Sequence, residues 1–244
     1  ICEIGRRMYA KDLVAANEGN LSIRLGESLV ATPTGLCKGY LKPDDLVITD
    51  LEGNQLEGRL EVSSEIRMHL VVYQNRPDVG AICHGHPVYG TAHAVAGISL
   101  QKALLPEVVV TLGCVPIAPY GTPSTEELAE SLIDLVPKHD AILLANHGAI
   151  TLGPGLEEAF FRMEILEHFA KISLLTTVLG RQSLLTRESV DKLFEVREKY
   201  GITSPAFRQA DCPITAESRH PVTLSSEELE EVVEEAVRKI TKDR

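Results

Sequence analysis

Apolar positions along the chain change their spacing several times, and each change marks an element. Residues 3–17 carry apolar side chains at helical spacing and predict an opening helix, which Asn17-Glu18-Gly19-Asn20 breaks. Strand-like runs follow. Residues 21–24 and 28–31 read as short strands, 31–35 as a turn, and 46–49 as a third strand before a turn at 51–54, together a β-meander. Helical spacing returns over 63–76, with Ser63 or Ser64 placed to cap it. Beyond it come a strand at 79–84, a helix at 88–96 and two short strands at 108–111 and 115–118. A helix over 124–135 follows, in which Ser124 and Glu127 fit a capping box. The continuous apolar run 141–144 suits a strand covered on both faces, and 149–152 returns beside it. Residues 156–179 and 189–200 read as helices.

After Gly201 the texture shifts. Residues 202–224 hold three prolines and no clear period. Residues 225–240 place Leu229, Val232, Val233, Ala236, Val237 and Ile240 on one helical stripe opposite a glutamate-rich, solvated face. The pattern predicts an α/β domain over 1–201, with helices over a mostly covered sheet, and a C-terminal extension over 202–244 with an amphipathic helix.

Composition narrows the function. A chain of 244 residues buries a full core without staples. Its formal charge of −11 repels phosphate backbones and argues against nucleic-acid binding. A locally positive pocket for a small anion remains compatible with that charge. No apolar run approaches the ~18–20 residues of a membrane helix. Five scattered cysteines (Cys2, Cys37, Cys83, Cys114 and Cys212) read as reduced thiols and a cytoplasmic location.

Candidate chemistry centres on Cys83-His84-Gly85-His86-Pro87. Residues i and i+2 of a strand share a face, so His84 and His86 can point the same way, as half of a zinc site. His147, in Asn146-His147-Gly148 after the next apolar strand, is the candidate third ligand. The other five histidines, His69, His93, His139, His168 and His220, read as packing or solvent residues. Cys83 faces away from the pair and reads as core. Glu65, in Ser63-Ser64-Glu65, has two readings: a metal ligand or general base, or an acid favoured in a first helical turn. Ser63 and Ser64 either cap or hold a phosphate, and Asn20, Thr34 and Gly35 lie in turns that could cradle the same anion.

Taken in order, EGNLSIR (18–24), TPTG (32–35), SSE (63–65), HGHP (84–87), APYGT (118–122), NHG (146–148) and KYG (199–201) resemble the class II aldolase/adducin family. Within it they are similar to the L-fuculose-1-phosphate aldolases. The resemblance covers about residues 3–201. It implies a three-layer αβα fold around a central mixed, largely antiparallel sheet, in a homotetramer with active sites at subunit interfaces. It implies that His84, His86 and His147 bind zinc, with Mn2+ or Co2+ as alternatives. Glu65 would complete that sphere and then act as base. Asn20, Thr34, Gly35, Ser63 and Ser64 would hold the substrate phosphate, and Tyr200 would reach a neighbouring subunit's site.

The implied reaction is reversible aldol cleavage of a ketose 1-phosphate to dihydroxyacetone phosphate and a small aldehyde. One departure stands out. Residues 90–119 contain no tyrosine to match the proton donor of the fuculose-type enzymes. Glu107 is the candidate acid there, as in the related methylthioribulose-1-phosphate dehydratases, or a surface acid. A dehydratase, a decarboxylase of an oxo-sugar-acid phosphate and a non-catalytic adducin-like module are therefore the competing readings.

Overall fold

A computed structural model describes residues 1–202; the predicted amphipathic helix at 225–240 lies outside the described residues. The strands are β1 (Asn20–Leu25), β2 (Ser28–Ala31), β3 (Val47–Asp50), β4 (Gln55–Glu57), β5 (Ala81–Gly85), β6 (Ile117–Ala118), β7 (Ala141–Leu144) and β8 (Gly148–Gly153). The helices are α1 (Cys2–Ala10), α2 (Ile66–Asn75), α3 (Val88–Ala96), α4 (Pro106–Thr111), α5 (Glu126–Glu130), α6 (Leu156–Val178) and α7 (Arg187–Lys199). All eight strands form one sheet in the order β4-β3-β2-β1-β5-β8-β7-β6. Every pairing is antiparallel except β6 with β7. This is the expected mixed, largely antiparallel sheet.

Period-two alternation sorts the sheet's side chains into two cores. Leu21, Cys83, Leu143 and Ala149 pack on one face against Met8 of α1 and Phe160, Met163 and Leu166 of α6. Ile82, Ile142, Leu144 and Ile150 pack on the other against Met68 and Val72 of α2 and Leu128 of α5. Helices cover both faces, which gives the three-layer αβα architecture. Central strands buried on both faces explain why β7 is apolar throughout. Among the described residues no helix is long and apolar enough to cross a membrane.

Several local expectations give way to tertiary structure. The opening helix ends at Ala10 rather than residue 17. Asp12 turns the chain with φ +56°, and Leu13 and Val14 drop into the core. The β-branched run 108–111 is helical, not a strand. Pro106 presets the first helical turn, and Val109 packs against Val190 of α7. The Arg197 guanidinium then donates to Val110 O at 2.5 Å, at the end where helical carbonyls lack partners. The helix expected over 124–135 starts at Glu126, because Ser124 adopts φ +66°. No capping box forms: Glu127 accepts from the Thr122 N–H, and Ser124 donates to Ser64. Glu65, rather than either serine, occupies the N-cap position of α2. Cys2, Cys37 and Cys83 are free, and Cys212 lies outside the described residues.

Candidate active site

Strand pairing assembles the histidines. His84 sits opposite Asn20 on β1 and Ile150 on β8. His86 follows β5, and its backbone N–H donates to Leu13 O at 2.8 Å, so the chain after α1 fixes where this imidazole starts. His147 enters from the β7–β8 turn, which is closed by Asn146 at φ +56°, a conformation asparagine tolerates. The ring centroids lie 4.8–5.1 Å apart. One ligand atom from each of the three residues falls within 4.8 Å of the others, the one such group among the described residues. Close approach depends on glycine: a Cβ on Gly148 would stand 2.5 Å from Gly85 O and 2.7 Å from the His86 ring.

The donor chemistry fits a divalent cation. His84 Nδ1 lies 2.9 Å from Ala149 O, which can only accept, so Nδ1 carries the proton and Nε2 keeps its lone pair. His84 Nε2, His86 Nε2 and His147 Nδ1 are buried without a hydrogen-bond partner. Burial, reinforced by the neighbouring His84 and His147, pulls His86 down to about 3, so its imidazole is neutral and able to ligate. A trio of imidazoles with unpartnered buried nitrogens is a donor set for zinc or a neighbouring transition metal.

Glu65 lies over this trio. Its Oε2 is 3.3 Å from His84 Nε2 and its Oε1 is 3.2 Å from His147 Nε2. Asn20 Nδ2 donates to Glu65 Oε2 at 2.8 Å. A carboxylate, ordinarily ionised at neutral pH, is thus aimed where a cation would sit.

One cavity of about 320 Å³ gathers Asn20, Thr34, Gly35, Ser63, Ser64, Glu65, His86 and His147. Gly35 adopts φ +73°, so the turn after Thr34 depends on a residue without Cβ. Two lining residues, Lys38 and Ser124, were not site candidates from the sequence. Lys38 is 2% exposed; its Nζ donates to Asn17 O at 2.8 Å and Leu36 O at 2.7 Å. Burial lowers its pKa to about 8, and it is the one Lys or Arg among the lining residues. Ser124 joins through its bond to Ser64. His69, read from the sequence as a packing histidine, is buried beneath the cavity, with Nε2 2.5 Å from Asn20 Oδ1.

Glu107 and Tyr200 are not brought to this cavity within one chain. Glu107 lines a separate groove of about 1050 Å³ with Tyr89, Phe161 and His168. Tyr200 is 74% exposed at the end of α7.

Comparison with known proteins agrees with this geometry. The family model for the class II aldolase and adducin N-terminal domain matches residues 1–174. An L-fuculose phosphate aldolase of Methanococcus maripaludis is 36% identical over 173 residues, which is 71% of this chain and 93% of the relative. A 3-oxo-tetronate 4-phosphate decarboxylase of Pectobacterium atrosepticum is 36% identical over 198 residues, or 78% of this chain and 89% of the relative. A solved L-fuculose 1-phosphate aldolase superposes with a TM-score of 0.76 at 32% identity, covering 82% of this chain and 93% of that one. Fold and matched length agree, and the chain belongs to the class II aldolase and adducin family.

Proposed function

We propose that this chain is a metal-dependent lyase that cleaves a ketose 1-phosphate reversibly into dihydroxyacetone phosphate and a small aldehyde. The carrying observation is Glu65: a carboxylate held against two of three clustered imidazoles, in the same cavity as a small-residue cradle and one cation. His84, His86 and His147 would hold zinc. A bound divalent cation supplies Lewis acidity toward the substrate's carbonyl and hydroxyl oxygens.

The chain's own groups do the rest. Thr34, Gly35, Ser63, Ser64 and Asn20 bind the phosphate through hydroxyl, amide and backbone N–H donors, and Lys38 contributes charge. Phosphate binding orients C3 of the substrate toward Glu65. In the synthesis direction Glu65 removes a C3 proton from dihydroxyacetone phosphate, C3 bonds to the aldehyde carbon as its C=O π bond opens, and the aldehyde oxygen takes a proton from solvent. In cleavage the C4 hydroxyl gives its proton to solvent as the aldehyde forms, the C3–C4 bond breaks, and Glu65 returns a proton to C3. The same reading places the enzyme in the cytoplasm as a homotetramer, in which Tyr200 and Glu107 act on sites they do not reach in their own chain.

The Pectobacterium relative favours a second reading, decarboxylation of an oxo-sugar-acid phosphate, at equal identity over a longer match. Both reactions leave a carbanion-like centre beside a carbonyl, so one cation and one proton-transfer carboxylate serve either. The test is metal-loaded protein with dihydroxyacetone phosphate and a panel of aldehydes, scored by mass. A condensation product lost on chelation supports the aldolase. No product from bound-metal protein, with carbon dioxide released from an oxo-acid phosphate, moves the assignment to the decarboxylase. Glu65→Gln is expected to keep its metal and lose C3 proton exchange; undiminished exchange removes Glu65 as base.

A further inference from the structure

Beneath the cavity runs a continuous hydrogen-bonded chain. Tyr73 Oη lies 2.8 Å from Ser22 Oγ, and Ser22 Oγ lies 2.6 Å from His69 Nδ1. His69 Nε2 lies 2.5 Å from Asn20 Oδ1, and Asn20 Nδ2 donates to Glu65 Oε2 at 2.8 Å. Strand and helix periods build it. Asn20 and Ser22 share one face of β1, while Glu65, His69 and Tyr73 recur every fourth residue along one side of α2. Asn20, Ser22, His69 and Tyr73 are each no more than 3% exposed, so water does not compete for these bonds.

The Asn20 amide sets the direction of every bond: its Nδ2 donates to Glu65 Oε2, which leaves its Oδ1 facing His69. Oδ1 only accepts, so His69 carries its proton on Nε2 and accepts at Nδ1. Ser22 must then donate to Nδ1 and accept from the Tyr73 hydroxyl. Burial lowers His69 to about 3, which keeps the ring neutral, as an accepting Nδ1 requires.

We infer that His69 is a positioning residue that locks the Asn20 amide with both N–H bonds turned toward the anions of the site. One N–H holds Glu65, and the second is left for the substrate phosphate. Without the lock the amide can rotate and present Oδ1, an acceptor, to two anions. The inference rests on the reading of Glu65 as base only for its kinetic consequence; the tautomer and the anion affinity are independent of it.

The experiment compares wild type, His69→Leu and His69→Gln. Nitrogen-15 NMR of the wild type is expected to show a neutral His69 protonated at Nε2; protonation at Nδ1 overturns the proposal, whether or not either variant folds. His69→Leu is expected to weaken inorganic phosphate binding and to slow C3 proton exchange, each by about 10- to 100-fold, the size of a lost bond to a charged group. His69→Gln, whose amide can donate to Asn20 and accept from Ser22, is expected to recover both to within a few-fold. A His69→Leu protein that is folded and binds phosphate as tightly as wild type reduces His69 to packing and overturns the inference. If Glu65→Gln retains exchange while His69→Leu still loses phosphate affinity, the base assignment fails and the positioning role stands.

Discussion

At the residue scale, Lys38 places one buried charge at the cavity of an acidic protein. The chain as a whole repels anions, with a net charge of −11, yet this ammonium is held at the cavity by Asn17 O and Leu36 O. Those two acceptors leave one of three N–H donors for a ligand. Lys38→Met keeps most of the packed stem and removes the charge. It is expected to raise KM for the phosphorylated substrate about 10- to 100-fold, the size of a charge-assisted bond, with kcat changed only a few-fold. An unchanged KM in steady-state kinetics would leave Lys38 as a staple between two loops. The sequence offered no route to this residue. Lysine is normally a surface residue, and only the backbone carbonyls that surround Lys38, contributed from residues 17 and 36, mark it as buried. His69 was hidden for a related reason: its partners lie on β1, 47 and 49 positions away in sequence. The trio His84, His86 and His147 was legible because strand alternation and two apolar strands suffice to bring it together.

At the element scale, the site depends on how closely the β5 end and the β7–β8 turn approach. Gly148 permits that approach. A Cβ there would meet the backbone of Gly85, which cannot move without disturbing the strand that carries His84. Gly148→Ala is expected to cost about 1–3 kcal/mol of stability, the usual size of overpacking in a tight interior. The measurable pair is a lower midpoint in thermal unfolding and a reduced metal content after dialysis against zinc. Full metal content would show that the trio tolerates a wider turn. Elements fixed by local pattern, such as β7 and α6, were legible from sequence. Elements decided by distant packing were not. The 108–111 run has strand propensity, and Pro106 together with α7 makes it a helix. The opening helix stops early because Leu13 is needed elsewhere: its carbonyl receives the His86 N–H.

At the scale of the whole molecule, a single chain gathers the histidine trio and Glu65 with Asn20, Thr34, Gly35, Ser63 and Ser64 but leaves Glu107 in another groove and Tyr200 in solvent. If Tyr200 serves a neighbouring copy, as proposed, each working site draws Glu65 from one chain and Tyr200 from another. That arrangement has a signature that no single-chain role produces. Glu65→Gln and Tyr200→Phe homo-oligomers are each expected to be impaired. When the two variants are co-expressed and assemble at random, about a quarter of the interfaces in a closed symmetric oligomer pair an intact Glu65 with an intact Tyr200. Activity in the mixed oligomers is then expected to rise toward a quarter of the wild-type value. If both residues acted within one chain, every site would carry one lesion and mixing would restore nothing. Sedimentation of the wild type supplies the companion measurement, because a monomer would remove the shared site along with the role assigned to Tyr200.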